Sequence, residues 1–258
     1  MKTFLKILLG IVGAIVIAIS AVFFFTSDMV VTADEFFVAV KNKDMDKALA
    51  FLSEDFKSGT SKDALQKYLE NNSINNFKDA SWESRSINNG RGNLVGSITT
   101  ESGGVVPISL SFVKGDNGWK IYSIQKPSPG IQEDSTQDQM PLEQEMVRLV
   151  ADSMHVFAES VNEKSMVKFH SHVSNMWQQQ ITPNKFDEVF AAFYDAGVNL
   201  TVLDNYSPQF SGKPNIDENG VLVIAGLYPT KPNQVHFEHQ YIYEGLGWKL
   251  MGFSTNIK

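Results

Sequence analysis

Apolar positions along this chain alternate between two periods, and the alternation occurs twice. Phe36, Phe37, Val40, Met45, Ala48, Leu49 and Leu52 fall at helical spacing. Thr32-Ala33-Asp34-Glu35 ahead of them has the form of a capping box. Asn42-Lys43-Asp44 interrupts the stripe and predicts a bend, or a new N-cap at Asp44. Ser61 is placed to cap a further helix carrying Leu65, Tyr68 and Leu69. After Phe77 the period becomes that of strands. Trp82 to Ile87, Leu94 to Thr99, Val105 to Val113 and Trp119 to Ile124 are predicted strands. Asn88-Asn89-Gly90-Arg91-Gly92 and Gly115-Asp116-Asn117-Gly118 are predicted hairpin turns.

The second pass begins with Pro141, a residue suited to a first helical turn. Val147, Val150, Met154, Phe157 and Val161 form the stripe, and Asn162-Glu163-Lys164 repeats the earlier interruption. Met166, Phe169 and Val173 follow as Met45, Ala48 and Leu52 did. Thr182, with Pro183 behind it, stands 121 residues after Ser61 and caps a helix with Phe186, Val189 and Phe190. Predicted strands run through Leu200–Asp204, Val221–Tyr228, Gln234–Glu244 and Trp248–Phe253. Gly118-Trp119-Lys120-Ile121 and Gly247-Trp248-Lys249-Leu250 match 129 residues apart. A repeat of this kind defines architecture before propensity does. The expected fold class is α+β, with helices covering one face of a curved antiparallel sheet in each copy. The boundaries read as 1–27, a first domain 28–127, a polar linker 128–142 and a second domain 143–258.

Segment 1–27 is different in kind. Lys2 and Lys6 precede an unbroken apolar or small-residue run from Ile7 to Phe25. As a helix it spans roughly 28 Å, near the hydrocarbon thickness of a bilayer. Basic residues before it and acidic residues after it place the N-terminus in the cytoplasm and the bulk outside. The expected location is therefore an inner (plasma) membrane, single-pass, with an extracytoplasmic or periplasmic body. A cleaved signal peptide, cut near Ala18-Ile19-Ser20, is the rival; it would leave Phe23-Phe24-Phe25 in an exposed mature terminus.

Composition narrows the function. Hydrophobic residues are 43% and charged residues 20%, a globular balance. Net charge is −7 with no basic stripe, so nucleic acid is excluded as a partner. Cysteine is absent, which removes disulfides, thiolate chemistry and a lipoprotein anchor.

The bent helix Phe36-Phe37…Asn42-Lys43-Asp44…Leu52-Ser53-Glu54-Asp55-Phe56, the short helix after it and the sheet ending in Gly118-Trp119-Lys120-Ile121 resemble the nuclear-transport-factor-2-like superfamily, with its cystatin-like cone. Phe157…Asn162-Glu163-Lys164…Phe169…Val173 and Gly247-Trp248-Lys249-Leu250 resemble it again. The resemblance implies a cone around a cavity and admits both isomerase-like enzymes and non-catalytic envelope domains. No enzymatic branch maps its catalytic set onto this chain. In that superfamily the outer sheet faces often form dimer contacts. Faces carrying Ser109, Ser111, Glu238 and Gln240 would let the two copies pack as an intramolecular pseudo-dimer.

Comparing the copies singles out four residues. Ile108, Leu110 and Phe112 match Phe237, His239 and Tyr241, and Leu49 matches His170. Two leucines have become histidines at inward positions, so His170, His239, Tyr241 and Phe237 are the expected pocket residues. They suit a ligand grip or an acid/base pair. A core histidine bonded to its neighbours is the plainer explanation. His170-Ser171-His172 and His236-x-x-His239 diverge on a helix and a strand, so no metal site is expected. Nothing points to a cofactor. Asp187-Glu188 and Glu54-Asp55 read as solvated pairs, and Glu238, read as the only strand carboxylate in that region, should face outward. The sequence thus favours a non-catalytic binding or assembly protein. Its expected partners are lipid through residues 7–25 and a protein, an envelope polymer or a small apolar ligand. The alternative is an isomerase- or hydrolase-like enzyme centred on His170, His239 and Tyr241.

Overall fold

The computed structural model describes residues 26–88, 90–127 and 140–258. The apolar run 7–25 and residues 128–139 of the polar stretch lie outside the described residues. Among the described residues, no helix is long and apolar enough to cross a membrane. The chain divides into two units, Met1–Lys126 and Pro127–Lys258. Each combines helices with an antiparallel sheet.

In the first unit, helix α1 covers residues 26–41. It is followed by α2 (Met45–Ala50), α3 (Glu54–Gly59) and α4 (Lys62–Asn71). A 3-10 turn (Ile74–Asn76) leads into β1 (Phe77–Asn88), β2 (Arg91–Thr100), β3 (Val105–Gly115) and β4 (Gly118–Gln125), which pair in that order. The break at Asn42-Lys43-Asp44 is present. Lys43 takes a left-handed conformation, φ 59°, and the Asp44 carboxylate accepts the Lys47 N–H at 3.0 Å to start α2. Thr32 does not cap a helix. The described helix already runs from residue 26, and the Thr32 hydroxyl donates back to the Asp28 carbonyl at 2.8 Å. The first strand begins at Phe77 rather than Trp82, because the Phe77 ring stacks on Phe37 at 5.3 Å and is held in the core.

In the second unit, α5 (Glu143–Glu163) leads to α6 (Val167–His172), α7 (Asn175–Gln180) and α8 (Pro183–Ala196). A 3-10 helix (Leu200–Asn205) precedes β5 (Gln209–Phe210), β6 (Asn215–Ile216), β7 (Val221–Tyr228), β8 (Val235–Glu244) and β9 (Gly247–Ile257). The long strands pair β7-β8-β9, and β5 and β6 both pair with β7. Pro141 lies just ahead of the N-cap Leu142 instead of inside the first turn. The predicted strand Leu200–Asp204 is a 3-10 helix. The Asn199 side chain accepts the Thr201 N–H at 3.1 Å, and the three-residue spacing then buries Leu200 and Leu203 together.

Local features recur between the units at the spacing of the sequence repeat. Lys164 is left-handed like Lys43. Ser53 and Ser174 cap α3 and α7. The Ser53 and Ser174 amides donate to Ile121 and Leu250 at 2.9 and 2.7 Å. Isolated parallel bridges join Leu52 to Ile121 and Val173 to Leu250. The last hairpin of each sheet carries a one-residue bulge, with Tyr122 the extra residue in β4 and Met251 in β9. The inner face of β3 is hydrocarbon, with Ile108, Leu110 and Phe112 fully buried. Ser111 between them donates across the ladder to Asn93 at 2.9 Å.

Candidate functional site

The second unit has a buried polar chain where the first has hydrocarbon. His239 and Tyr241 lie two apart on β8 and so share the inner face. They are 0% and 1% exposed. The His239 Nδ1 is 3.1 Å from the Tyr241 hydroxyl. That hydroxyl lies 3.0 Å from the Leu149 carbonyl and 3.2 Å from Ser153 Oγ, both on α5. Ser153 Oγ in turn lies 3.3 Å from Nε2 of His172, in the last turn of α6.

Proton counting orders this chain. A phenol has one proton, and the Leu149 carbonyl can only accept, so Tyr241 donates there. The same hydroxyl is in donor geometry toward Ser153 Oγ, His239 Nδ1–H donates to the Tyr241 oxygen, and Ser153 Oγ links that phenol to His172 Nε2. His239 is therefore the Nδ1–H tautomer. Its Nε2 is buried with no hydrogen-bond partner. The ring is held by apolar neighbours, stacked on Phe253 at 4.6 Å and 5.1 Å from Phe237.

The electrostatics follow from burial. Burial, with the His172 charge second, pushes the His239 imidazole down to about 3. His172 is lowered by burial and then by Lys249, with Asp152 opposing. The Tyr241 phenol is raised, mainly by burial. At neutral pH the chain is an uncharged hydrogen-bonded link between α5, α6 and β8.

Of the four residues singled out by the repeat, the structure brings together His239, Tyr241 and Phe237. It does not bring His170 to them. The His170 Nε2 faces the carbonyls of Ile181 and Gln178 at 2.8 and 3.3 Å, and its ring meets Phe186 edge-on at 6.0 Å. His170 thus closes the C-terminal end of α7, whose last carbonyls need donors. His172 takes the place in the cluster expected of His170. The ring of His239 is packed among other rings. Phe253, which stacks on His239, also packs against Phe157 at 4.7 Å and Phe169 at 5.0 Å, so rings fill that space.

Ser153 and His172 join the site, although the sequence did not single out Ser153, and His172 was weighed only as a metal ligand. Ser153 carried a legible signal, since it falls three residues after Val150 and four before Phe157, within the apolar stripe. Two carboxylates also depart from expectation. Asp187 is not simply solvated; it accepts from the Met166 amide at 2.8 Å and from the Tyr194 hydroxyl at 2.7 Å. Glu244 on β8 is buried and accepts the Asn175 amide at 3.0 Å, ahead of α7. Glu238 is exposed. No group of three or more histidines, aspartates or glutamates among the described residues is arranged to hold a metal.

Two open clefts lie elsewhere on the second unit. One of about 200 Å³ is lined by Asp152, His155, Asp204, Tyr206 and Tyr228. Another of about 180 Å³ is lined by Asn162, Lys164, Phe193 and Tyr194. Neither is lined by His170, Phe237, His239 or Tyr241.

No protein-family model matches the chain, and no curated protein matches it. Among solved structures, the crystal structure of a cystatin-like protein from Ruminococcus gnavus is similar at 10% identity. The match covers 89% of this chain and 91% of that one, with a TM-score of 0.28. That overlap is too low to carry fold or function across.

Proposed function

We propose that the chain is a non-catalytic binding or assembly protein, tethered to a plasma (inner) membrane through residues 7–25. Its N-terminus is cytoplasmic, and two nuclear-transport-factor-2-like, cystatin-like cone units stand in tandem on the extracytoplasmic side. The observation that carries the non-catalytic reading is the sealing of His239 and Tyr241 at 0% and 1% exposure. A general acid or base must reach its substrate and titrate near the working pH. These two groups do neither. The tandem reading is supported by the left-handed lysines, serine caps, bridges and bulges that recur in both units. The tether is supported by the run Ile7 to Phe25 behind Lys2 and Lys6.

Complementation of cells lacking the protein tests the first point. His239→Leu with Tyr241→Phe is expected to restore the wild-type phenotype. Loss of complementation by a variant with an unchanged melting temperature overturns the non-catalytic reading. Carbonate extraction tests the tether. The full chain is expected to stay in the membrane pellet, and release into the supernatant overturns it.

A further inference from the structure

The cleft of about 200 Å³ has a chemistry of its own. One wall is α5, which presents Asp152 and His155 one turn from the buried polar chain. The opposite wall is the 3-10 helix with Asp204, and Tyr206 just beyond it. The Tyr228 ring, at the end of β7, together with Met154 and Leu203, lines the buried side. No lysine or arginine lines the cleft. Asp204 is shared with an imidazole, since His155 Nδ1 lies 3.0 Å from both of its oxygens. Among the described residues, Asp152 makes no ion pair.

Two exposed aspartates alone would be an ordinary solvated surface. Tyr228 makes the difference. The residue is 1% exposed as a whole, and its hydroxyl oxygen, not sealed from the cleft, makes no hydrogen bond among the described residues. A buried phenol normally finds a partner. Here the side chain lines the cleft, so the partner it lacks is one the cleft would supply. Both Asp204 and Asp152 act on the phenol, after burial, to raise it. The hydroxyl and the two carboxylates therefore lie within electrostatic reach of one another.

We propose that this cleft binds a primary alkylammonium group. An ammonium has three N–H donors and no acceptor. Asp152, Asp204 and the Tyr228 oxygen offer three acceptors around one space. Tyr206, 38% exposed, adds an aromatic face for the cation. Met154 and Leu203 offer hydrocarbon to the alkyl stem. The volume equals that of roughly six or seven liquid waters, which suits an aminobutyl end with its residual water. A guanidinium fits less well. It seeks a free carboxylate fork; Asp152 alone offers one, since both oxygens of Asp204 already face His155, whereas an ammonium can take one oxygen from each acceptor. An anion meets two carboxylates and no cation other than His155 when protonated.

The amine has two sources, a lysine side chain of a protein partner or a free polyamine, and the test separates them. The proposal gives a ligand class to the binding role above and rests on that role only for its biological purpose. The full chain in detergent micelles is titrated by ligand-observed NMR with Nα-acetyl-lysine amide, with 1,4-diaminobutane, with the Nε-acetylated lysine analogue and with Nα-acetyl-arginine amide. Saturable binding of a primary amine is expected, absent for the acetylated analogue and weaker for the arginine analogue. Asp152→Asn is expected to weaken it about tenfold and Tyr228→Phe about threefold. Asp152→Lys, which places an ammonium at the cleft, is expected to abolish it. Asp152 is exposed, so its variants keep the fold, and an unchanged melting temperature checks this. Tighter binding of the diamine assigns a free polyamine; tighter binding of the lysine amide assigns a protein side chain. No saturable binding, equal binding of the acetylated analogue, tighter binding of the arginine analogue, or indifference to both Asp152→Asn and Tyr228→Phe overturns the proposal. Such a result in a chain that still pellets with membranes removes the cleft and leaves the tether. A chain that binds amines but does not pellet does the reverse.

Discussion

Leu110 of the first unit faces Ile124 across its sheet, and His239 of the second faces Phe253 at the matching place in the ladder. The backbone frame is the same, down to the bulge that follows. The chemistry is not. A leucine in that position needs only contact. An imidazole needs a hydrogen-bond partner as well, and the second unit supplies one for Nδ1 in Tyr241, whose hydroxyl is linked on through Ser153 to His172. The matching residues of the first unit, Phe112 and Thr32, form no such chain. One polar replacement in a core thus spreads to neighbouring elements, because an unpaired buried group costs more than a paired one returns. The comparison also shows how His239 is held. Its partnered nitrogen is committed to structure, and its other nitrogen faces rings.

Truncating the aromatic centre of the second unit should have the largest effect on this comparison. Phe157 meets Phe253, Phe190, Phe193 and Phe169 at 4.7, 4.9, 5.3 and 5.4 Å. Phe157→Ala is expected to cost about 3–5 kcal/mol, read by urea denaturation. The matched Phe36, which meets Phe37 at 5.2 Å, is expected to fall near the lower end of that range. Equal losses would mean that the second core is no more dependent on its rings than the first.

Acid should separate the units next. An unfolded histidine titrates near its ordinary value of about 6.5, whereas burial holds folded His239 at about 3. Between those values the unfolded state takes up a proton that the folded state refuses. Stability is therefore fully present above pH 6.5 and is lost as pH falls toward 3, on the order of several kcal/mol. His172, also lowered, acts in the same direction. His239→Leu restores the first unit's residue and is expected to lie within about 1 kcal/mol of wild type at pH 7. Its acid-side loss should be much shallower, as measured by melting temperature against pH. An unchanged acid profile would show that His239 is not the group being titrated.

A glycine pair sharpens the likeness. Gly96 of β2 faces Ile108, and Gly226 of β7 faces Phe237. A Cβ on either would run into a carbonyl of the neighbouring edge strand, Ser81 in one case and Gln209 in the other. Gly96→Ala and Gly226→Ala are each expected to cost about 1–3 kcal/mol by denaturant midpoint. A neutral result at Gly226 alone would show that the short β5 yields where β1 does not. The smallest effect expected is stabilising. Lys43 and Lys164 hold left-handed backbones that glycine adopts without a Cβ clash. Replacing either by glycine is expected to add up to about 1 kcal/mol, net of glycine's greater unfolded entropy. Opposite signs at the two positions would break the equivalence of the two helix breaks.

Much of the secondary structure was legible. Asp44, Ser61 and Thr182 were read as N-caps from their own type and the stripe behind them, and each accepts the amide expected of a cap. Val221–Tyr228 was read at its observed limits. The misreadings share a cause. Thr32 resembles a cap, but whether a helix starts there depends on what precedes it. Leu200–Asp204 is apolar enough for a strand, but the Asn199 side chain bonds locally and tightens it into a 3-10 helix. The candidate site was half legible. Pairing β3 with β8 in the repeat identified His239 and Tyr241, because strand register carries faces along with it. The short helix gave the wrong histidine, because His170 and His172 lie two positions apart and their faces are decided by how α6 docks.

The chain alone determined the periodicities, the caps, the repeat and the presence of imidazoles where its first half has leucine. These are properties of neighbours in sequence, set by backbone geometry and side-chain type. Only the tertiary structure decided that His172 rather than His170 completes the polar chain, that rings fill the space beside His239, and that Asp152, Asp204 and Tyr228 converge on an open cleft. Those outcomes depend on contacts between residues far apart in the chain, and side chains at such distances meet only once the helices have packed against the sheet.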